Sequence, residues 1–274
     1  MDKGGSVFGR TRLPAVVLFV LAPAVVLAGM GAMVFVAPFA FSLGLRPALL
    51  ISEAALVLPG LLALKAFRMP FSTTLGLNPI PSRTTLLVVA TAAALWVMSL
   101  GLFEVQYALW APPPGYLEAF ERLHDALRPK DALDALVSVV AIAAAPAICE
   151  ELLLRGIVLP ALRPALGAVG AIVASAALFA FIHMDLYRAA FTFTLGLALG
   201  ILRVRTGSLL APVLAHALVN TITFVAAPLT DDNLAGGLPA PRPGLGLSLL
   251  AAGVVITVLL IRHVGVVDST RADA

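Results

Sequence analysis

At 274 residues the chain has the length of one or two soluble domains, yet 61% of it is apolar and only 12% is charged. A soluble domain is roughly half apolar and about one quarter charged, so this chain has too few polar side chains to cover a globular surface and must present apolar surface to lipid. The formal net charge of +3 does not indicate nucleic acid, because the 18 basic residues lie scattered between apolar stretches, and the lone Cys149 excludes an intramolecular disulfide or a cysteine-cluster metal site.

A spanning helix needs about 20 mostly apolar residues, and such runs recur along the whole chain. The first extends from about Leu13 to Phe39 and reads as a spanning helix, not as a cleavable signal peptide. The second runs from about Pro47 to Phe67 and the third from about Thr84 to Phe103. Then comes the most polar loop, Glu104 to Asp131, in which Leu117, Phe120, Leu123 and Leu127 recur at helical spacing opposite Glu118, Glu121, Arg122 and Asp125. It reads as an interfacial amphipathic helix with Tyr107, Trp110 and Tyr116 as headgroup-level anchors; a gate over a site is the alternative. The fourth span covers about Ala132 to Pro160, the fifth Leu166 to His183 and the sixth Tyr187 to Arg203. The seventh covers Leu209 to Pro228 and the eighth Leu245 to Ile261. The expected fold is all-α: a polytopic transmembrane helical bundle of about eight spans. Its expected parts are the N-terminal helices with the interfacial loop helix (1–130), a central helical core (131–228), and a C-terminal loop with the last span (229–274).

Orientation follows from Lys and Arg. With the N-terminus inside, eleven basic residues fall on the inner side (Lys3, Arg10, Arg12, Lys65, Arg68, Arg83, Arg163, Arg203, Arg205, Arg262, Arg271) and six on the outer (Arg46, Arg122, Arg128, Lys130, Arg188, Arg242), with Arg155 inside a span. That bias puts both termini in the cytoplasm.

Ionisable groups within spans are costly and mark function by default. Span four carries Glu150 and Glu151 followed by Arg155, span five ends Phe179-Ala180-Phe181-Ile182-His183, and span seven contains His216 and Asn220. On a helix, Glu151 and Arg155 stand at i, i+4 and neutralise each other. Glu150 points roughly 100° away and is left to face a cavity. His216 and Asn220, also at i, i+4, project together. Glu150 lies 16 residues before Leu166 and His183 lies 16 after Gly167. A hairpin turning there sets both groups at one level, roughly 24 Å from the turn, where they can share a water. Taken singly, each pattern also reads as packing: a Glu–Arg pair as glue, an intramembrane His as a hydrogen-bonding strut. Glu53 and Cys149 have no partner pattern and read as packing or helix-terminus residues, while His124 and His263 fall at the interface.

The three motifs together, EExxxR, FxxxH and HxxxN on separate spans, resemble those of the CPBP family, the CAAX protease and bacteriocin-processing (abortive-infection) group of intramembrane proteases that includes the type II CAAX prenyl endopeptidases. The resemblance covers roughly Asp131 to Ala226 and includes TLGLALGILRVRTGSLLAPVLAHALVN. It implies an intramembrane endopeptidase that hydrolyses a peptide bond of a membrane-associated or exported protein or peptide. Glu150 would be the general base acting on a water, His183 would hold that water, and His216 and Asn220 would stabilise the oxyanion. Glu151, Arg155 and Phe179 would be supporting residues. No cofactor is favoured. Zinc is the alternative, with Glu150, His183 and His216 as ligands, although the pattern is not HExxH.

The expected partners are a protein or peptide substrate in the membrane and the lipid bilayer, with no nucleic acid. The Ala- and Leu-rich character points to a multi-pass protein of the bacterial cytoplasmic membrane, and a site toward the outer half favours export-linked substrates. The rival class is a non-catalytic membrane protein, either a proton-coupled carrier or an immunity and interaction scaffold. Transporters pair interrupted helices in both halves, whereas here the polar cluster is confined to spans four, five and seven.

Overall fold

Apolar runs of this length satisfy their backbone within lipid only as helices, and no strand occurs among the described residues of the computed structural model, 13–230 and 240–265. Lys3, Arg10, Arg12 and Arg271, which entered the orientation argument, lie outside the described residues, as does 231–239. The helices are α1 (Ala15–Ser42), α2 (Leu45–Ala66), the short α3 (Phe71–Leu75), α4 (Ser82–Leu109), α5 (Tyr116–Leu127), α6 (Ala132–Val139), α7 (Ala145–Glu151), α8 (Leu159–Ile182), α9 (Ala189–Thr206), α10 (Leu210–Thr230) and α11 (Pro243–His263). Two π-helical segments, π1 (Val140–Ala144) and π2 (Leu152–Val158), join α6, α7 and α8 into one continuous run.

Six helical runs are long and apolar enough to cross a membrane: α1, α2, α4, the 51-residue run Ala132–Ile182, α9 and α11. The fourth is really two limbs. Gly167 has φ 68° and ψ −179°, a left-handed conformation that a glycine adopts without a Cβ penalty, and it breaks the run. The limbs then fold back on each other. Ser175 Oγ donates to Leu154 O at 3.1 Å, and the Arg155 guanidinium lies 4.8 Å from the centre of the Phe179 ring. Arg155 and Phe179 are each twelve residues from Gly167, so the hairpin turns where the sequence places it. Counting both limbs and the apolar stretch Leu210–Ala226 of α10, the bundle has about eight spans.

The π segments have a cause. Pro146 follows π1 and Pro160 follows π2, and each proline removes an N–H donor from the ladder. In lipid the loosened carbonyls still need donors. Ser175 supplies one to Leu154, and Arg203 Nε reaches Arg155 O at 3.3 Å.

Helix pairs close tightly on glycine. α4 and α11 meet at Gly101, Gly246 and Gly253, where a Cβ on Gly253 would sit 2.6 Å from Met98 Cα. At one end of this pair, Arg242 donates from its backbone N–H and its guanidinium to Glu104, at 2.8 and 3.1 Å. Gly253→Val is expected to push α11 off α4 and cost about 1–3 kcal/mol, seen as a lower midpoint of thermal unfolding in detergent. An unchanged midpoint would contradict this packing.

α2 packs on α7 and both π segments, and Arg46 at its start bonds Asp134 at 3.0 Å on α6. The core of Leu153, Leu154, Leu195, Leu199 and Leu202 lies between α9 and the π2–α8 hairpin, directly below the polar residues described next.

Candidate active site

The polar cluster begins as the helix geometry predicts. Arg155 donates to Glu151 Oε1 at 2.8 Å, and neither side chain has any solvent exposure. The other arm of the Arg155 fork donates to Gly196 O on α9 at 2.8 Å. Gly196 permits that approach, because a Cβ there would lie 3.1 Å from the Phe179 ring and 3.0 Å from Ala176. Arg155 thus pins three helices by one buried cation.

Glu151 has a second partner that the spacing did not reveal. Its Oε1 also meets His216 Nδ1 at 3.1 Å. The natural assignment gives the proton to Nδ1, which donates to the carboxylate, and leaves the Nε2 lone pair free. That Nε2 points at Glu150 Oε2, 3.8 Å away. The gap is too long for a hydrogen bond and of the kind a water bridges. Glu150 Oε2 itself is buried without a hydrogen-bond partner. One carboxylate is therefore tied into the scaffold and its neighbour is held next to an imidazole with nothing satisfying it.

His183 closes α8. Its Nδ1 lies 2.8 Å from Phe179 O, which sets the proton on Nδ1 and the lone pair on Nε2. Met184 follows in a left-handed conformation at φ 49°, rare for a residue with a side chain, and ends the helix there. Phe179 is the hub: its ring meets His183 edge-on at 4.9 Å and His216 edge-on at 5.5 Å while Arg155 covers it. His183 and Glu150 share no hydrogen bond; the structure links them through Phe179 and His216. Asn220 stands one turn beyond His216 on α10 and is half-buried, with no side-chain hydrogen bond to another described residue.

Two residues beyond the three motifs also reach this site. Glu53 is the one acidic or basic residue away from the ends of the first three spans. The sequence alone reads it as a packing or helix-terminus residue. α2, which carries it, packs on α7, which carries Cys149 and Glu150, and the Glu53 Oε2 is buried without a partner among the described residues. The only sequence signal was its solitary place in the middle of an apolar span. Arg188, at the start of α9, follows His183 by five residues, and its guanidinium lies 5.5 Å from the centre of the Phe120 ring.

α5 is amphipathic as read, and its apolar face covers more than surface. Leu117 and Phe120 close a cavity of about 310 Å³ whose other walls include Trp96, Phe103, Arg188 and Phe191. Tyr116 fastens it: its hydroxyl donates to Asp185 at 2.8 Å, and its ring meets that of Tyr187 edge-on at 5.0 Å. Trp110 packs on Tyr187 from a second side at 5.4 Å. Burial, then the bond to Asp185, hold the Tyr116 phenol above its ordinary pKa, so it stays a donor throughout the neutral range. α5 is thereby latched to the loop joining His183 to α9.

The donors do not fit a zinc site. Among the described residues no three His, Cys, Asp or Glu side chains converge as ligands. Glu150, His183 and His216, the set that would have to hold zinc, form no such group, and no step is routed through a metal.

Residues 132–222 match a family model described as type II CAAX prenyl endopeptidase Rce1-like. The matched segment takes in Glu150, Glu151, Arg155, Phe179, His183, His216 and Asn220, and it agrees with the CPBP resemblance of the three motifs. No curated protein and no solved structure matches the chain.

Proposed function

We propose that the chain, whose residues 132–222 match a family model described as type II CAAX prenyl endopeptidase Rce1-like, hydrolyses peptide bonds within the membrane by a water that Glu150 activates. The observation that carries this reading is the pairing of an unsatisfied, buried Glu150 Oε2 with His216 Nε2 at 3.8 Å. Nothing structural occupies that carboxylate oxygen, and a buried acceptor without a donor is costly unless chemistry uses it.

In the proposed step a water donates to Glu150 Oε2 and to the His183 Nε2 lone pair, with His216 Nε2 beside Glu150. Glu150 takes one of its protons while the oxygen adds to the scissile carbonyl. The carbonyl π electrons move to oxygen, and the resulting oxyanion is met by the Asn220 amide N–H. His216 Nε2 becomes a second donor there by sharing the proton that Glu150 has taken, while its Nδ1 donates to Glu151. Collapse of the intermediate breaks the C–N bond, and the proton held by Glu150 passes to the leaving amine. Arg155 and Glu151 keep the helix face that aims Glu150, and Phe179 spaces the two imidazoles. The substrate in this reading is a membrane-associated or exported protein or peptide, lying toward the outer half of a bacterial cytoplasmic membrane with both termini of the enzyme inside.

The experiment is comparative proteomics of membranes from cells lacking the protein and from cells carrying Glu150→Gln. Both are expected to accumulate the same uncleaved precursors, and cleavage by purified protein is expected to survive exhaustive chelation. Absence of any shared precursor would refute the proteolytic reading, and loss of cleavage on chelation would refute its metal-free form.

A further inference from the structure

Among the described residues, Glu53 is the acidic side chain well inside a span that the proposed mechanism leaves unused. A carboxyl at such a depth is costly and is kept where it pairs or serves a site. A packing role would give it a donor from a neighbouring helix. Its Oε2 is instead buried with no hydrogen bond among the described residues.

Two fixed points on α2 show which way Glu53 faces. Seven residues before it, Arg46 donates to Ser138 at 2.9 Å and to Asp134 at 3.0 Å, both on α6. Seven residues after it, Gly60 lies against π2, where a Cβ would come 2.8 Å from Ile157 Cδ1 and 3.3 Å from Leu153 Cδ1. Seven residues are nearly two whole turns, so Arg46, Glu53 and Gly60 form one stripe, and that stripe faces the α6–α7–π2 run. The two runs are parallel, because later residues of one meet later residues of the other. Glu53 lies about 10 Å back from Gly60, and the same number of residues back from Leu153 and Ile157 spans Pro146 to Glu150. α2 and α7 pack on each other here. Glu53 is therefore level with Glu150, whose Oε2 is likewise buried without a hydrogen-bond partner. The other titratable groups at this level are Cys149, half-buried on α7, and His216, whose Nε2 is 3.8 Å from Glu150 Oε2.

Two carboxylates that face each other only accept, so each leaves the other repelled and unsatisfied. One proton between them resolves both problems: the carboxylic acid donates and the carboxylate accepts, directly or through one water. A carboxylate has about four acceptor sites, so such a bond leaves room on Glu150 for the attacking water.

Resting on the proteolytic reading above, we propose that Glu53 is a positioning residue for the base. Its carboxyl shares one proton with Glu150 across the α2–α7 contact and holds Glu150 in place as the carboxylate that attacks no bond itself but takes a proton from water. The shared proton rests on Glu53 while Glu150 acts, since Glu53 lies among the apolar residues of α2 and Glu150 opens toward His216. The proton taken from the water still passes to the leaving amine, so the one on Glu53 is neither consumed nor replaced in a turnover.

Initial rates on a substrate found by proteomics, with all proteins in one detergent, test the role. Glu53→Leu is expected to lower kcat by about 10- to 100-fold with KM unchanged. Its thermal midpoint is expected to stay at or above that of the wild type, because an apolar side chain replaces an unsatisfied carboxyl. Glu53→Gln keeps a donor and is expected to recover most of the lost rate. Hydrolysis by Glu53→Leu at the wild-type kcat would overturn the proposal. So would a Glu53→Gln rate no better than that of Glu53→Leu, or rate losses that track a lower midpoint in both variants. A second measurement needs no cleavage. The infrared C=O band of a protonated carboxyl is expected in the wild type at neutral pH, lost in Glu53→Gln, and shifted or lost in Glu150→Gln. No such band, or one indifferent to Glu150→Gln, would overturn the proposal even if no Glu53 variant folds. A wild-type protein that cuts nothing while its band responds to Glu150→Gln would remove the proteolytic reading and leave the carboxyl pair standing.

Discussion

Replacing Glu150 by glutamine is expected to lower peptide hydrolysis by about 10²- to 10⁴-fold, the usual contribution of a positioned general base, while the protein still inserts and folds. Glutamine keeps the shape of the side chain and cannot take a proton from water. The folded state should tolerate it because Glu150 Oε2 has no hydrogen bond to lose. The buried ion pair lies elsewhere, between Glu151 and Arg155, so the substitution removes chemistry and spares the scaffold. Initial rates on a substrate found by proteomics, together with an unchanged thermal midpoint, check both halves. Hydrolysis at the wild-type rate would assign the base to another group.

Arg155→Met is expected to do the reverse and destabilise the fold by about 3–5 kcal/mol, the range for removing one partner of a buried pair. The guanidinium holds Glu151 at 2.8 Å and Gly196 O at 2.8 Å, and it covers the Phe179 ring. Without it Glu151 is a buried anion whose remaining partner is His216. The His216 contact to Glu151 is then left to hold that carboxylate alone, which disturbs the site as well. Adding Glu151→Gln removes the uncompensated charge and is expected to recover a large part of the stability but not the activity. Thermal unfolding of the single and double variants in the same detergent measures the coupling. Additive losses would mean that the two residues do not act as a pair.

Local periodicity made some of this architecture legible in the sequence. The Glu151–Arg155 bond follows from i, i+4 spacing. The turn at Gly167 follows from a glycine flanked by two apolar limbs. What stayed hidden depends on helices far apart in the chain. Glu53 and Glu150 are brought together only because α2 packs on α7, and no spacing rule connects them. The second bond of Glu151, to His216 on α10, is hidden for the same reason and gives His216 a lone pair toward Glu150 instead of a ready donor toward an oxyanion. The amphipathic pattern of α5 announced an apolar face, but not that Leu117 and Phe120 would close a cavity beside Arg188. The π segments arise where prolines interrupt apolar runs, and Pro23 and Pro59 sit in helices that absorb them without a π segment. Proline position alone does not foretell one.

The central claim is that Glu150 directs a water onto a peptide bond, and oxygen-18 labelling tests it most directly. Purified wild-type protein and Glu150→Gln, both shown to be folded, are incubated in H₂¹⁸O with the candidate precursor, and the fragments are weighed by mass spectrometry. The account predicts one solvent oxygen-18 in the new C-terminal carboxylate of the wild-type product and no product from Glu150→Gln. Equal amounts of labelled product from the two proteins would contradict it.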